Sequence, residues 1–204
     1  MHADSVEYPS HWSEIVSNIK IYDLEECVRA SGYPMEAEII PRPTTEQDYK
    51  RAAALAKNPP GTGHNNFLKG IRVAFDLTFT KQGWSEAERY SYFDLISSGS
   101  TIHSISRMNF DKIYLGYVDP RMIEIVKNLR ETYEKTGDPE DYLRLIYSSP
   151  AGLKLTCRID TNYSQLKTIY IQRKNHKLPE WRRFCEWIET LPHSDWITEN
   201  DKCM

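Results

Sequence analysis

Side chains suited to gripping an anion or a polarised ring concentrate in two stretches of this 204-residue chain, Gly63–Arg107 and Arg144–Trp181. Arg144 and Arg173 each offer a planar fork and a permanent charge, which fit a phosphate or a carbonyl edge. Arg173 also continues the apolar stripe Leu166, Ile169, Tyr170 of its helix, a place a solvated arginine need not occupy. His64 lies in a polar turn, GHNNFLKG, either as a ligand-facing imidazole or as a capping, solvent-facing one. From Ser97 to Ser106 the chain is dense in hydroxyls, so this run reads as a strand edge, a loop or an anion-cradling turn. Arg144 has a plainer reading too. Glu140 and Asp141 stand at helical spacing from it, and an exposed pair of that kind contributes under about 1 kcal/mol.

The elements that must position these groups follow from periodicity. Val73, Phe75, Leu77 and Phe79 alternate with smaller or polar residues, which predicts a half-buried strand. Gly83 reads as its break, followed by a helix WSEAERYSYFDLI. LKLTCRI predicts a second long strand, capped through Asp160-Thr161-Asn162 into the helix that ends at Arg173. Upstream, Ile19 and Ile21 mark a short strand, and Asp23 reads as the cap of DLEECVRASG with Gly32 as its stop. Tyr33–Pro43 carries three prolines and reads as an extended connector before a Thr44-Thr45-Glu46-Gln47 capping start. RMIEIVKNLRETYEKTG, PEDYLRLIY and EWRRFCEWIETL are amphipathic helices. Trp84 and Trp181 read as core or interface, and IQRKNHK as a solvated helix end that complements the dipole. Several helices around few strands give an α+β class.

The bulk numbers narrow the function. A net charge of −3 gives no global attraction to nucleic acid or anionic lipid. No apolar stretch approaches membrane-spanning length, and there is no leader-like N-terminus, so a soluble protein of cytoplasmic type is expected. The four cysteines, Cys27, Cys157, Cys185 and Cys203, show neither CxxC nor Cys/His zinc spacing and read as free thiols; no metal is expected. The length suits one domain over residues 1–204, with 1–12 as a flexible lead.

Three motifs together resemble the flavin-dependent thymidylate synthase (ThyX) family. GHNNFLKGIRVAF resembles its Gly-His turn feeding a strand, with His64 on the first histidine. YLRLIY followed by SSP resembles its Ala-Arg-x-x-Leu-Pro segment, with Arg144 on the arginine, and Asn162 to Arg173 keeps its Asn-to-Arg separation. The resemblance implies a ThyX-like α+β fold, a small, mainly antiparallel sheet flanked by helices, in a homotetramer with sites at subunit junctions. It implies a dUMP-like pyrimidine nucleotide on Arg144, Asn162 and Arg173, with His64 beside FAD, and folate and NADPH if the family's one-carbon transfer to C5 is retained. The chain departs from the family where Arg-His-Arg should stand: the span reads RYSYFDLISSGSTIHSISRM. Arg89 is the nearest cation there, and Ser100, Ser104 and Arg107 are the substitute phosphate ligands. Gly70 replaces the second histidine, and Ser164 an arginine. That asymmetry leaves two readings, a flavin-dependent nucleotide methyltransferase or a non-catalytic nucleotide-binding descendant without FAD.

Overall fold

The computed structural model describes residues 15–59 and 61–199; the lead at 1–12 and Cys203 lie outside the described residues. Four strands, β1 (Val16–Tyr22), β2 (Arg72–Thr80), β3 (Asp94–Ser98) and β4 (Lys154–Asn162), form one antiparallel sheet in the order β1-β2-β4-β3. The β2–β4 register pairs Phe75 with Ile159 and Leu77 with Cys157, so the apolar sets of both strands face the same side. The other face carries Arg72, Asp76, Thr78, Arg158 and Asp160. There, Arg158 meets Asp76 at 3.1 Å and the Thr78 and Thr156 hydroxyls meet at 2.7 Å.

Helices cover the apolar face. They are α1 (Leu24–Ala30), α2 (Glu46–Ala56), α8 (Tyr163–Arg173), α9 (Pro179–Ile188) and α10 (Asp195–Thr198). The stripe of α9 explains its position: Trp181, Phe184, Trp187 and Ile188 are all fully buried. Phe79 sits 4.9 Å from Trp181, and Phe75 sits 4.7 Å from Trp187, centroid to centroid. Lys167 of α8 is also buried, and its ammonium donates to the carbonyls of Ala56 and Asn58 at the end of α2. A positive charge there opposes the negative end of the helix dipole.

A second apolar cluster, Ile105, Phe110, Tyr114, Val126, Leu145 and Leu153, lies under α5 (Phe110–Ile113), α6 (Pro120–Thr136) and α7 (Pro139–Tyr147). Leu155 packs against both clusters. Asp119 and Asp138 cap α6 and α7, each ahead of a first-turn proline, and Gly137 ends α6 with φ 65°.

Three local expectations are corrected. Gly83 does not break β2 into a loop: it lies inside α3 (Lys81–Ala87), where a Cβ would meet Glu180 Oε1 at 3.0 Å and Phe79 at 3.1 Å. That helix stops at Ala87, and Asp94-Leu95-Ile96 belongs to β3, because pairing with β4 outweighs the local helical pattern. Asp23 stands at the N-cap of α1 with φ 60° and makes no side-chain cap bond, while Ser31 rather than Gly32 is the C-cap. The Thr45 start is a complete capping box with Asp48.

Candidate functional site

Arg173 occupies the last turn of α8, with its side chain 16% exposed, and its guanidinium is engaged by three side chains and two aromatic rings. Nη1 donates to Glu86 Oε2 at 2.6 Å, Nε donates to the Tyr90 hydroxyl at 2.7 Å, and Nη1 lies 2.7 Å from His176 Nε2. The cation also rests over the Trp181 ring at 4.8 Å and the Tyr90 ring at 5.4 Å. The Tyr90 hydroxyl in turn donates a hydrogen bond to Gln172 Oε1 at 2.9 Å. The apolar stripe that ends in Arg173 therefore leads into an aromatic pocket with a carboxylate in it. Glu86, Tyr90 and His176 were not singled out from the sequence. Glu86 and Tyr90 stand four residues apart and His176 three beyond Arg173, but nothing local joins the two segments.

Arg144 lies on α7 with its side chain 64% exposed, 2.9 Å from Asp141 and 3.8 Å from Glu140. Asp141 is the fixed member, since Thr136 donates to its other oxygen at 2.8 Å and the residue is buried. The opposite flank of α7 meets the hydroxyl-rich run. There the Tyr142 hydroxyl donates to the Ile102 carbonyl at 2.8 Å, holding α4 (Thr101–Ser104) against α7. Between them is a cavity of about 410 Å³ lined by Thr101, Ile102, Leu143, Ile146 and Tyr147, together with Lys81 and Ser149.

The run itself divides between the end of β3, the short helix α4 and a 3-10 turn at Ile105–Arg107. Ser104 donates back to the Ser100 carbonyl, and Arg107 donates to the His103 carbonyl at 2.9 Å. Ser100 precedes α4 with no side-chain cap bond. Arg107 is exposed, as is Arg89, one residue from the Tyr90 that holds Arg173.

His64 is exposed on the turn before the 3-10 segment Asn66–Lys69. The turn is fastened by its neighbour Asn65, which is buried and donates to the Asn58 carbonyl at 2.8 Å. Gly63, at φ 82°, supplies the left-handed backbone there. Asn162 caps α8, its side-chain oxygen accepting from the Gln165 amide at 2.9 Å. Asn162 and Arg173 stand at opposite ends of that helix, about 16 Å apart at 1.5 Å per residue, so one small group cannot touch both in the same subunit. The fold thus joins Arg144's helix to the Ser100–Arg107 run and Arg89's neighbours to Arg173.

Cys27, Cys157 and Cys185 are free. Burial pushes the Cys27 thiol up to about 11 and those of Cys157 and Cys185 up to about 12, which leaves them unreactive near neutral pH. Among the described residues no group of three or more His, Cys, Asp or Glu is placed to hold a metal ion, and no helix is long and apolar enough to cross a membrane.

No family model matches the chain, and no curated protein does. Solved structures match it. Flavin-dependent thymidylate synthase ThyX from Helicobacter pylori, complexed with FAD and dUMP, aligns at TM-score 0.70 over 88% of this chain and 95% of its own, with 13% identity. A 2.31 Å structure of ThyX from the same organism with FAD and dUMP gives TM-score 0.72 over 93% and 99%, also at 13% identity. The chain has the ThyX-like α+β fold, as the motif resemblance implied.

Proposed function

We propose that this chain binds a uridine nucleotide of the dUMP class without flavin-dependent turnover. One observation carries the reading: Arg144 stands exposed on α7, on the helix that walls a cavity of about 410 Å³ with the hydroxyl-rich α4 segment. Its guanidinium is exposed, its pair with Glu140 is weak at 3.8 Å, and Asp141 keeps a bond from Thr136 if the arginine turns to a phosphate. Ser100, Ser104 and Arg107 supply further polar groups on the segment that packs against the other flank of α7. The ThyX-like fold, shared with proteins captured with dUMP, is the second support.

The residues present do not fit a flavin held as the family resemblance implies. Where that pattern has Arg-His-Arg, only Arg89 brings a positive charge, and the neighbouring Glu86 brings a negative one that neutralises Arg173. No catalytic step is therefore derived through FAD, folate or NADPH. Flavin-dependent methyl transfer to C5 remains the second reading, favoured by His64 standing exposed on the turn the resemblance assigns to the flavin side.

The site is completed by a second copy in this reading, as part of a homotetramer. Leu95, Ile96, Ile102, Leu143, Tyr117 and Tyr147 expose apolar surface that a lone subunit leaves in water. The test is a thermal-melt titration with dUMP, UMP and dTMP, paired with an absorbance spectrum after adding FAD. A site saturated at a hundred times its Kd gains about 2.7 kcal/mol. The proposal expects a shift with dUMP, its loss in Arg144→Ala, and no flavin band. A melt that no nucleotide moves sinks it, and bound flavin turns the assignment to the second reading.

A further inference from the structure

Leu143, Ile146 and Tyr147, at helical spacing on one face of α7, line the cavity of about 410 Å³ beside α4. Arg144 is not among the lining residues. The one basic residue there is Lys81, and neither an aspartate nor a glutamate accompanies it. The backbone explains how Lys81 comes to this place. Its amide donates to the Leu153 carbonyl at 2.9 Å, and that of Gln82 donates to the Ala151 carbonyl at 3.2 Å. These two bonds pin the start of α3 against the segment that follows α7.

The Lys81 ammonium forms no hydrogen bond and no ion pair among the described residues, yet it is not sealed in, since it retains accessible surface. Burial holds it below the ordinary lysine value, and no neighbouring carboxylate acts against that. Two hydroxyls share the lining. Ser149 Oγ lies 3.2 Å from the hydroxyl of the buried Tyr114, and when Tyr114 donates, the Ser149 proton is free for an acceptor. Thr101 makes no side-chain hydrogen bond among the described residues. One cation and two hydroxyls with no acid call for an anionic head. A carboxylate has two oxygens to offer, whereas a phosphate monoester has three for these three donors. Ile102 and Tyr147, both exposed, supply apolar surface for the body that carries it.

We propose that Lys81 is the residue by which this cavity selects a phosphorylated ligand, its ammonium taking the phosphate while Ser149 and Thr101 donate to the remaining oxygens. The inference rests on the nucleotide reading above and adds to it the side chain that tells a nucleotide from its nucleoside.

The experiment titrates the full chain and its Lys81→Met variant with dUMP, deoxyuridine and inorganic phosphate by calorimetry. The inference expects the unsubstituted chain to prefer dUMP over deoxyuridine by about tenfold or more, and Lys81→Met to lose that preference while binding deoxyuridine as before. A lysine with a merely structural role weakens both ligands alike, and that result overturns the inference. A preference for dUMP that survives in Lys81→Met overturns it as well. In both cases the unsubstituted chain still binds dUMP, so the nucleotide reading stands. If the unsubstituted chain binds neither uridine compound, that reading falls and the inference falls with it. Inorganic phosphate binding as tightly as dUMP marks an adventitious ion only and overturns it too. If Lys81→Met fails to fold, Lys81→Gln decides by the same comparison: an unchanged preference there overturns the assignment.

Discussion

Glu86 and Arg173, 87 positions apart, meet at 2.6 Å in a pocket walled by Tyr90, His176 and Trp181. Both side chains are mostly buried, so the pair acts in a medium where removing one partner strands the other. Glu86→Gln and Arg173→Met each lower stability by on the order of 2 kcal/mol, and the double variant loses less than the sum. Chemical denaturation of the four proteins measures the coupling, expected at about 1–3 kcal/mol. A value near zero shows the two charges to be independently solvated.

Asp48 contributes to the loss of stability in acid. Arg42 grips both of its oxygens, at 2.6 and 2.9 Å, and Thr45 and Arg51 add further bonds. The Arg42 guanidinium first, then Thr45 and Arg51, hold this carboxyl well below the usual range against the opposing effect of burial. A folded-state value below the unfolded value of about 3.9 means stability that is complete above that pH and lost as pH falls beneath it. Asp48→Asn flattens the decline of the melting temperature below about pH 4. Thr45→Ala, which opens the capping box, costs about 1 kcal/mol at neutral pH.

Lys167 produces the opposite limb. Burial pushes its ammonium down to about 8. Between there and the unfolded value of about 10.4, the unfolded chain holds a proton the folded chain has released, so stability rises with pH across that window. Urea unfolding at intervals from pH 8 to pH 10 measures the slope. Lys167→Met removes it and, by leaving the Ala56 and Asn58 carbonyls without this donor, lowers stability at pH 7 by about 1–3 kcal/mol.

Thiol chemistry reports on the core. In a Cys203→Ser background, Cys27, Cys157 and Cys185 react slowly with a thiol reagent at pH 8, and all three react at once on unfolding. Fast labelling of any of them in the folded protein contradicts its placement.

What was legible in the sequence was whatever repeats over two or more turns or pairs. β2, β4 and α6 to α9 announce themselves because Val73–Phe79, Leu153–Cys157 and the stripes of the long helices recur at a fixed period. β3 does not, since its five residues are all exposed and their strand character comes from β4 alone. Gly83 was misread for a related reason: its constraint is Glu180, almost a hundred residues away. At the candidate site Arg144 paired with its helical neighbours as spacing foretold. Arg173 stood on an apolar stripe for a reason no window contains, the long-range carboxylate of Glu86.

β3 has one further consequence. It ends the sheet, pairing with β4 on one side only, and carries Leu95 and Ile96 into solvent with Asp94 as its single charge. A bare edge of this kind is a template on which another extended segment can grow. The rim of the sheet, and not its core, is therefore where this fold is most open to uncontrolled polymerisation, and a charged residue in place of Ile96 is expected to lower it.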